Sequence, residues 1–219
     1  MSKRNLVTSY YNNPVILDRH LEAWDAYPRD LKDGLRITVV DDCSSRVKAE
    51  EVIADVGIEL HLYHVDIDIP WSWDGARNLG IREQVRPGEV FLMTDIDHLL
   101  VAEQARRFLE LPVEPDTYHV PSRRRAVDGQ PYKPHPNSWI MRQELFWKAG
   151  GFCEDFAGYY GKDKAFRRQI DLLAKARRVE DCGVELLLFG REVIADASTV
   201  DFGRKGTPYH TALHPALRA

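Results

Sequence analysis

Val90-Phe91-Leu92-Met93-Thr94-Asp95-Ile96-Asp97-His98 is an apolar run that breaks off in two carboxylates one residue apart. Pro87-Gly88 ahead of it reads as a turn. The density of Val, Phe, Leu and Met reads as a strand buried on both faces, as in a parallel sheet. Ligands of open α/β sheets collect beyond the C-terminal ends of the strands, so a site is expected at this exit. Two aspartates there offer hard oxygen ligands to Mg²⁺ or Mn²⁺, and such an ion would hold a diphosphate. Taken alone, Asp-x-Asp also serves as a helix cap or a solvated turn. A second strand, Leu35-Arg36-Ile37-Thr38-Val39-Val40, closes on another acid pair, Asp41-Asp42, and two such strands point to one shared site.

The 219 residues fit one domain with a substantial core. Apolar residues at 44% and charged residues at 29% are ordinary for a folded soluble protein and give no support to disorder or a membrane span. A net charge of −4 gives no global pull toward nucleic acid. The three cysteines, Cys43, Cys153 and Cys182, show neither a disulfide framework nor zinc-ligand spacing. The segment Met1-Ser2-Lys3-Arg4-Asn5 lacks the apolar stretch of a secretory signal, so cytoplasmic residence is expected.

Outward from the two acidic strands, residues 5–10 read as a first strand and 15–26 as an amphipathic helix, with Val15, Leu17, Leu21 and Trp24 at helical spacing. A charged helix-like segment follows at 47–55, closed by Gly57, then a third strand at 58–64 and a helix at 76–84. This alternation is the βαβ rhythm of a parallel sheet. Asp66 and Asp68 lie in a Pro/Trp loop and read as a solvated decoy of the Asp95/Asp97 pair. Beyond Asp97 a helix at 101–110, a short strand at 117–121, a Pro/Gly/Arg-rich loop at 122–137 and a strand at 139–141 are expected.

With these elements placed, the chain resembles a glycosyltransferase of the GT-A fold, similar to the family-two transferases and, in its C-terminal motif, to galactosyltransferases. Four blocks carry the resemblance over roughly residues 6–166: Val7-Thr8-Ser9-Tyr10-Tyr11-Asn12; Val39-Val40-Asp41-Asp42-Cys43-Ser44-Ser45; Gly75-Ala76-Arg77-Asn78-Leu79-Gly80 with the Asp95-Ile96-Asp97 pair; and the run Gly150-Gly151-Phe152-Cys153-Glu154-Asp155 to Asp163. The resemblance implies an α/β architecture, a Rossmann-like, mostly parallel sheet flanked by helices in one domain over 1–219. Residues 1–98 would form the nucleotide-sugar half and 99–219 the acceptor-binding and catalytic half.

The resemblance also implies roles. Thr8, Tyr10, Asp41 and Asp42 would contact the nucleoside, and Arg77 and Asn78 would lie beside the diphosphate. Asp97 would bind Mn²⁺ or Mg²⁺ directly, with Asp95 reaching the ion or the ribose, and a third ligand would come from His210, His214 or Asp201. Asp163 would be the general base of an inverting transfer from a nucleotide-diphosphate sugar, by family habit a UDP-sugar, to a hydroxyl on a glycan, small molecule or modified nucleic acid. Lys162 stands where the family keeps another acid, and Tyr159 lies in the aromatic turn before it. Glu154 and Asp155 are rival bases. Trp71 and Trp73 are candidates for stacking on a sugar, whereas Trp139 and Trp147 fit either stacking or core. Arg123-Arg124-Arg125 with Tyr132, Lys133 and His135 reads as a solvated loop or as a surface for an anionic acceptor, and His98 as a helix-capping residue facing away from the ion. A retaining transferase, a nucleotidyltransferase and a non-catalytic sugar-nucleotide binder are the alternatives.

Overall fold

Alternation along the first strand decides which face each helix covers. β1 (Arg4–Tyr10) sends Leu6 to one face of the sheet and Val7 to the other, the period-two pattern of a strand buried on both sides. The computed structural model describes residues 3–69, 72–157, 163–173 and 177–190. α1 (Pro14–Asp25) starts at Asn13, whose side chain accepts from the Ile16 amide at 3.4 Å, with Pro14 at its first position. Its buried stripe is Ile16, Leu17, His20, Leu21 and Trp24. Val15 is 48% exposed, so Ile16 takes the core position that helical spacing assigned to Val15.

α2 (Arg29–Gly34) leads into β2 (Leu35–Asp41), which is buried throughout. The helix expected over 47–55 shrinks to the 3₁₀ turn Ala49–Glu51, because side chains of the strand exits hold residues 44–49 in a loop. β3 (Glu59–His64), α3 (Trp73–Gln84), β4 (Val90–Asp95), the short β5 (His98–Leu99) and α4 (Ala102–Glu110) follow. β6 (Thr117–Arg125) runs past the short strand expected there, and Arg123 lies opposite Tyr132 of β7 (Pro131–Tyr132). β8 (Trp139–Arg142), α5 (Gln143–Lys148), α6 (Asp163–Asp171) and β9 (Arg177–Leu188) complete the described elements.

The sheet order is β3-β2-β1-β4-β8-β6-β9-β5, with β7 on β6. β3, β2, β1 and β4 are parallel, as the βαβ reading expects, whereas β8 joins β4 antiparallel and β6 joins β8 antiparallel. α1 and α4 pack with Leu6, Ile37, Val39 and Leu92 on one face; α3, α5 and α6 pack with Val7, Phe91, Met93, Trp139 and Met141 on the other. Among the described residues no helix is long and apolar enough to cross a membrane. The register sets Ser9 beside Asp95 and Tyr10 beside Asp41, so the exits of three neighbouring strands open on one edge.

Candidate active site

At the first two exits the side chains build a loop. Asp41 accepts from the Ser44 amide through Oδ1 and from the Ala49 amide through Oδ2, each at 2.8 Å. Asn12, at φ +46°, accepts from the amides of Arg46 (2.8 Å) and Val47 (3.2 Å), and the Tyr10 hydroxyl donates to the Val47 carbonyl at 2.8 Å. Thr8, Tyr10 and Asp41 are buried. Tyr10 and Asp41, assigned to the nucleoside by resemblance, are therefore spent on shaping the loop 42–49. Asp42 follows at the exit itself, its amide donating to the Tyr10 carbonyl at 2.9 Å.

Arg77 is also committed. It is fully buried in α3, pairs closely with Asp95 Oδ1, donates to the Asn137 carbonyl at 3.1 Å and lies 4.6 Å over the Trp73 ring. It neutralises Asp95 from behind rather than reaching outward to a diphosphate. Asn78 bridges to the fourth block: its amide nitrogen donates to the Phe152 carbonyl (2.9 Å) and Glu154 Oε1 (2.8 Å), and its oxygen accepts from the Phe152 amide (3.0 Å). This tie occupies Glu154, one of the rival bases. It depends on Gly150 and Gly151, both at positive φ, a conformation that favours glycine. Trp73 meets Phe152 edge to face at 5.2 Å and Trp139 is core, so packing accounts for both.

The other oxygen of Asp95 meets an imidazole that the sequence reading placed on a surface loop. His135 Nε2 lies 3.1 Å from Asp95 Oδ2, and its Nδ1 accepts from the Asn137 amide at 3.3 Å, so the proton sits on Nε2. Burial would raise the Asp95 pKa, but Arg77 and His135 hold its carboxyl far below the usual carboxylate range. Burial lowers the pKa of His135, with Asp95 opposing it. The β4–β8 pairing, with Met93 opposite Trp139, carries residues 135–138 to the Asp95 exit. No local motif announces this placement.

His98 is likewise fully buried, in β5, its ring centroid 4.5 Å from that of His135, which corrects its reading as a helix cap. Its Nδ1 lies 2.7 Å from Asp97 Oδ1, and its Nε2 is 2.9 Å from Arg123 Nη1. Neither atom of the Nδ1–Oδ1 contact has an aligned hydrogen-bond partner. Asp95, His98 and His135 each bring one ligand atom within 4.8 Å of the others. Two carboxylates at one strand exit, with buried polar atoms left unaligned beside them, fit a hard divalent ion such as Mn²⁺.

The triple arginine is divided by the strand. Arg123 points inward and is 5% exposed, while Arg124 pairs with Glu185 at 2.8 Å and Arg125 pairs with Asp128. The run is therefore not a free basic surface. Asp66 and Asp68 are exposed, as expected of a decoy. Asp163 opens α6, and the charges of His135 and Asp95 both act on its carboxyl. His20 reaches from α1 to the turn between the two acids, Nε2 donating to the Ile96 carbonyl at 2.8 Å. A histidine inside an apolar helix stripe was the available signal for it, since a buried polar group needs a partner. Trp71, Tyr159, Lys162, Asp201, His210 and His214 lie outside the described residues.

No family model and no curated protein sequence matches the chain. Solved structures do. A mannosyltransferase, PcManGT from Pyrobaculum calidifontis in complex with GDP-Man and Mn²⁺, is 18% identical at a TM-score of 0.63, covering 84% of this chain and 56% of that one. S. aureus TarS 1-349 in complex with UDP-GlcNAc is 15% identical at 0.59, covering 90% and 61%. GalNAc-T7 with UDP, GalNAc and Mn²⁺ is 12% identical at 0.66, covering 87% and 44%. The chain thus spans less than two thirds of each of these proteins. With the parallel β3-β2-β1-β4 core, the antiparallel extension beyond it and the acid pair at the β4 exit, the chain has the GT-A fold of the glycosyltransferases.

Proposed function

We propose that the chain is a metal-dependent glycosyltransferase that moves a sugar from a nucleotide-diphosphate sugar to an acceptor hydroxyl, with inversion. The observation that carries this reading is the convergence of three strand exits on Asp95, Asp97 and His135, with the Asp163 carboxyl electrostatically coupled to the same group. Asp95 and Asp97 would hold Mn²⁺ or Mg²⁺, with His135 orienting Asp95 and the 201–214 segment as a further source of ligand. A divalent ion there supplies Lewis-acid neutralisation of the leaving diphosphate.

The nucleoside would lie over the loop that Asp41 and Asn12 shape, with Asp42 at its rim. Asp163 would accept the proton of the acceptor hydroxyl as that oxygen attacks the anomeric carbon opposite the diphosphate. Lys162, Tyr159, Trp71 and the half-buried Trp73 would face sugar or acceptor. Arg123 is removed from the acceptor by its burial. A UDP-sugar is the donor proposed, and a cytoplasmic setting is proposed for the chain, its three cysteines being thiols.

The reading is tested by thermal melting against a panel of UDP- and GDP-sugars with and without Mn²⁺. The expected result is a rise that needs both the ion and one class of donor. No rise with any donor would reject it. Product anomer configuration by proton NMR separates inversion from retention.

A further inference from the structure

We propose that the edge of the sheet opposite the strand exits holds a binding site for a compact oxyanion of the phosphate class, formed by Arg4, His119, Arg142 and Arg177. The site goes beyond the glycosyltransferase reading and does not depend on it. Asp95 lies beside Ser9, five residues and roughly 17 Å along β1 from Arg4, so the two places are separate.

Strand register collects the four side chains on one face. Arg142 lies opposite Val90 and Asn5 lies beside Phe91, so Arg4 and Arg142 flank Val90 from β1 and β8. His119 lies opposite Ile140, two residues from Arg142, and Arg177 lies beside Thr117, two residues from His119. Alternation therefore puts all four on the face of Val90, Leu92 and Ile140, the side that α4 covers. The connection from α4 to β6 fixes two of them. Arg4 Nη2 donates to the Leu111 carbonyl, and Arg142 Nε donates to the Val113 carbonyl at 2.7 Å. Arg4 also lies 5.5 Å over the Phe108 ring.

The cluster lacks negative charge. Among the described residues no carboxylate pairs with Arg4, Arg142 or Arg177. Of the nearby acids, Asp116 is taken by Lys148 at 3.3 Å and Glu180 by Arg178 at 3.0 Å, while Glu110 and Glu114 are exposed. Like charges meet instead. Burial lowers the Arg4 pKa and Arg142 lowers it further; burial also lowers that of His119, with Arg177 and Arg4 acting in the same direction. His119 is only 6% exposed, yet neither ring nitrogen has a hydrogen-bond partner, and Arg4 Nη1 is buried in the same condition. Buried polar groups normally find partners, so these nitrogens beside two further guanidiniums call for an acceptor-rich group. An oxyanion accepts from Arg4 Nη1, from the N–H of a neutral His119 and from the other guanidiniums at once. Charge rules out a cation here, and the nitrogens rule out an apolar ligand. Arg177 is exposed and marks the solvent side of the cluster.

The test titrates inorganic phosphate into the full chain at constant ionic strength set with chloride, reading the His119 ring by NMR and the melting temperature. The expected result is a saturable shift of the His119 resonances, assigned by their loss in His119→Gln, and a melting temperature that rises with phosphate. Affinity should weaken about threefold in the exposed Arg177→Gln and about tenfold or more in the half-buried Arg4→Met. Arg177→Gln should melt no lower than the wild type without phosphate, because it relieves repulsion and touches no buried contact. A hexose phosphate run in parallel identifies the source of the group. Tighter binding of free phosphate assigns the site to the ion, and tighter binding of the hexose phosphate assigns it to a phosphorylated molecule; both keep the site. His119 resonances unmoved up to about 10 mM phosphate, or a shift that neither arginine variant weakens, overturn it. Phosphate that raises melting without moving His119 is bound elsewhere and overturns it equally. Failure of every nucleotide sugar to bind leaves these readouts untouched, so the two readings fail separately.

Discussion

Asp163 and Asp95 are two carboxyls whose surroundings drive them in opposite directions. Burial raises the Asp163 pKa, Asp95 adds to the rise, and its own amide, His135 and Lys164 pull against it. Asp95, clamped between Arg77 and His135, stays ionised far into acid. Such divergence points to roles: the clamped acid is a permanent charge, and the raised acid is the one that takes up a proton more readily. A base must be ionised to accept a proton, so activity should fall as pH drops through the raised Asp163 value. The acid limb of kcat/KM is then expected above 3.8, the ordinary aspartate value. Asp163→Asn should lose transfer by about 10²- to 10⁴-fold and keep the donor-dependent thermal shift. Initial rates across pH decide it, and an Asp163→Asn variant with near-normal turnover would remove Asp163 from the chemistry.

At the scale of elements, the approach of α3 to the sheet sets how far Arg77 can reach. Gly80 faces Val7, Val40 and Thr38, and a Cβ there would come within 2.9 to 3.2 Å of their methyl groups. These are branched side chains on central strands and cannot swing aside. Gly80→Ala should therefore destabilise by about 1–2 kcal/mol, overpacking outweighing the gain of roughly 1 kcal/mol in helix propensity. Urea unfolding measures it, and a stabilised variant would show that α3 can shift outward. The four parallel strands and α1 were legible because each carries its own signal, such as the apolar run of 90–93, the stripe of α1 and the turn at Pro87-Gly88, whereas α2 and the 3₁₀ turn at Ala49–Glu51 carried none. The cluster around Asp95 was half legible for the same reason. Asp95 and Asp97 end a recognisable strand, whereas His135 arrives through the antiparallel return of β8 and Arg123 through a strand that reads as a polar loop. Neither depends on local periodicity. The buried placements of Tyr10, Asp41 and Arg77 were hidden too, because residue type does not reveal which hydrogen bonds are already taken.

For the molecule as a whole, the same inward-facing histidines make stability depend on pH. His20 is fully buried between α1 and the Asp95–Asp97 turn, and burial brings its pKa from 6.5 down to about 4, against the opposing pull of the Ile96 carbonyl and Asp97, with His98 adding to the fall. The folded chain therefore keeps His20 neutral while the unfolded chain protonates it near 6.5. Protons favour the unfolded state below that value, and the loss grows until the folded pKa is reached. At pH 5 this single group should cost about 2 kcal/mol, approaching about 3 kcal/mol near pH 4. His119 and His135, both also lowered by burial, act with the same sign. Carboxylates held low, such as Asp95 and Glu59, lose their contribution only at still lower pH, so the window from 6.5 to about 4.5 belongs to the histidines. Urea unfolding at pH 7.5 and pH 5 should show that drop. His20→Gln, which keeps a donor for the Ile96 carbonyl without a titrating ring, should flatten it by about 2 kcal/mol. An unchanged difference between the two pH values in His20→Gln would mean that His20 does not stay neutral in the fold, and that the turn bearing Asp95 and Asp97 is not anchored from α1 by a neutral imidazole.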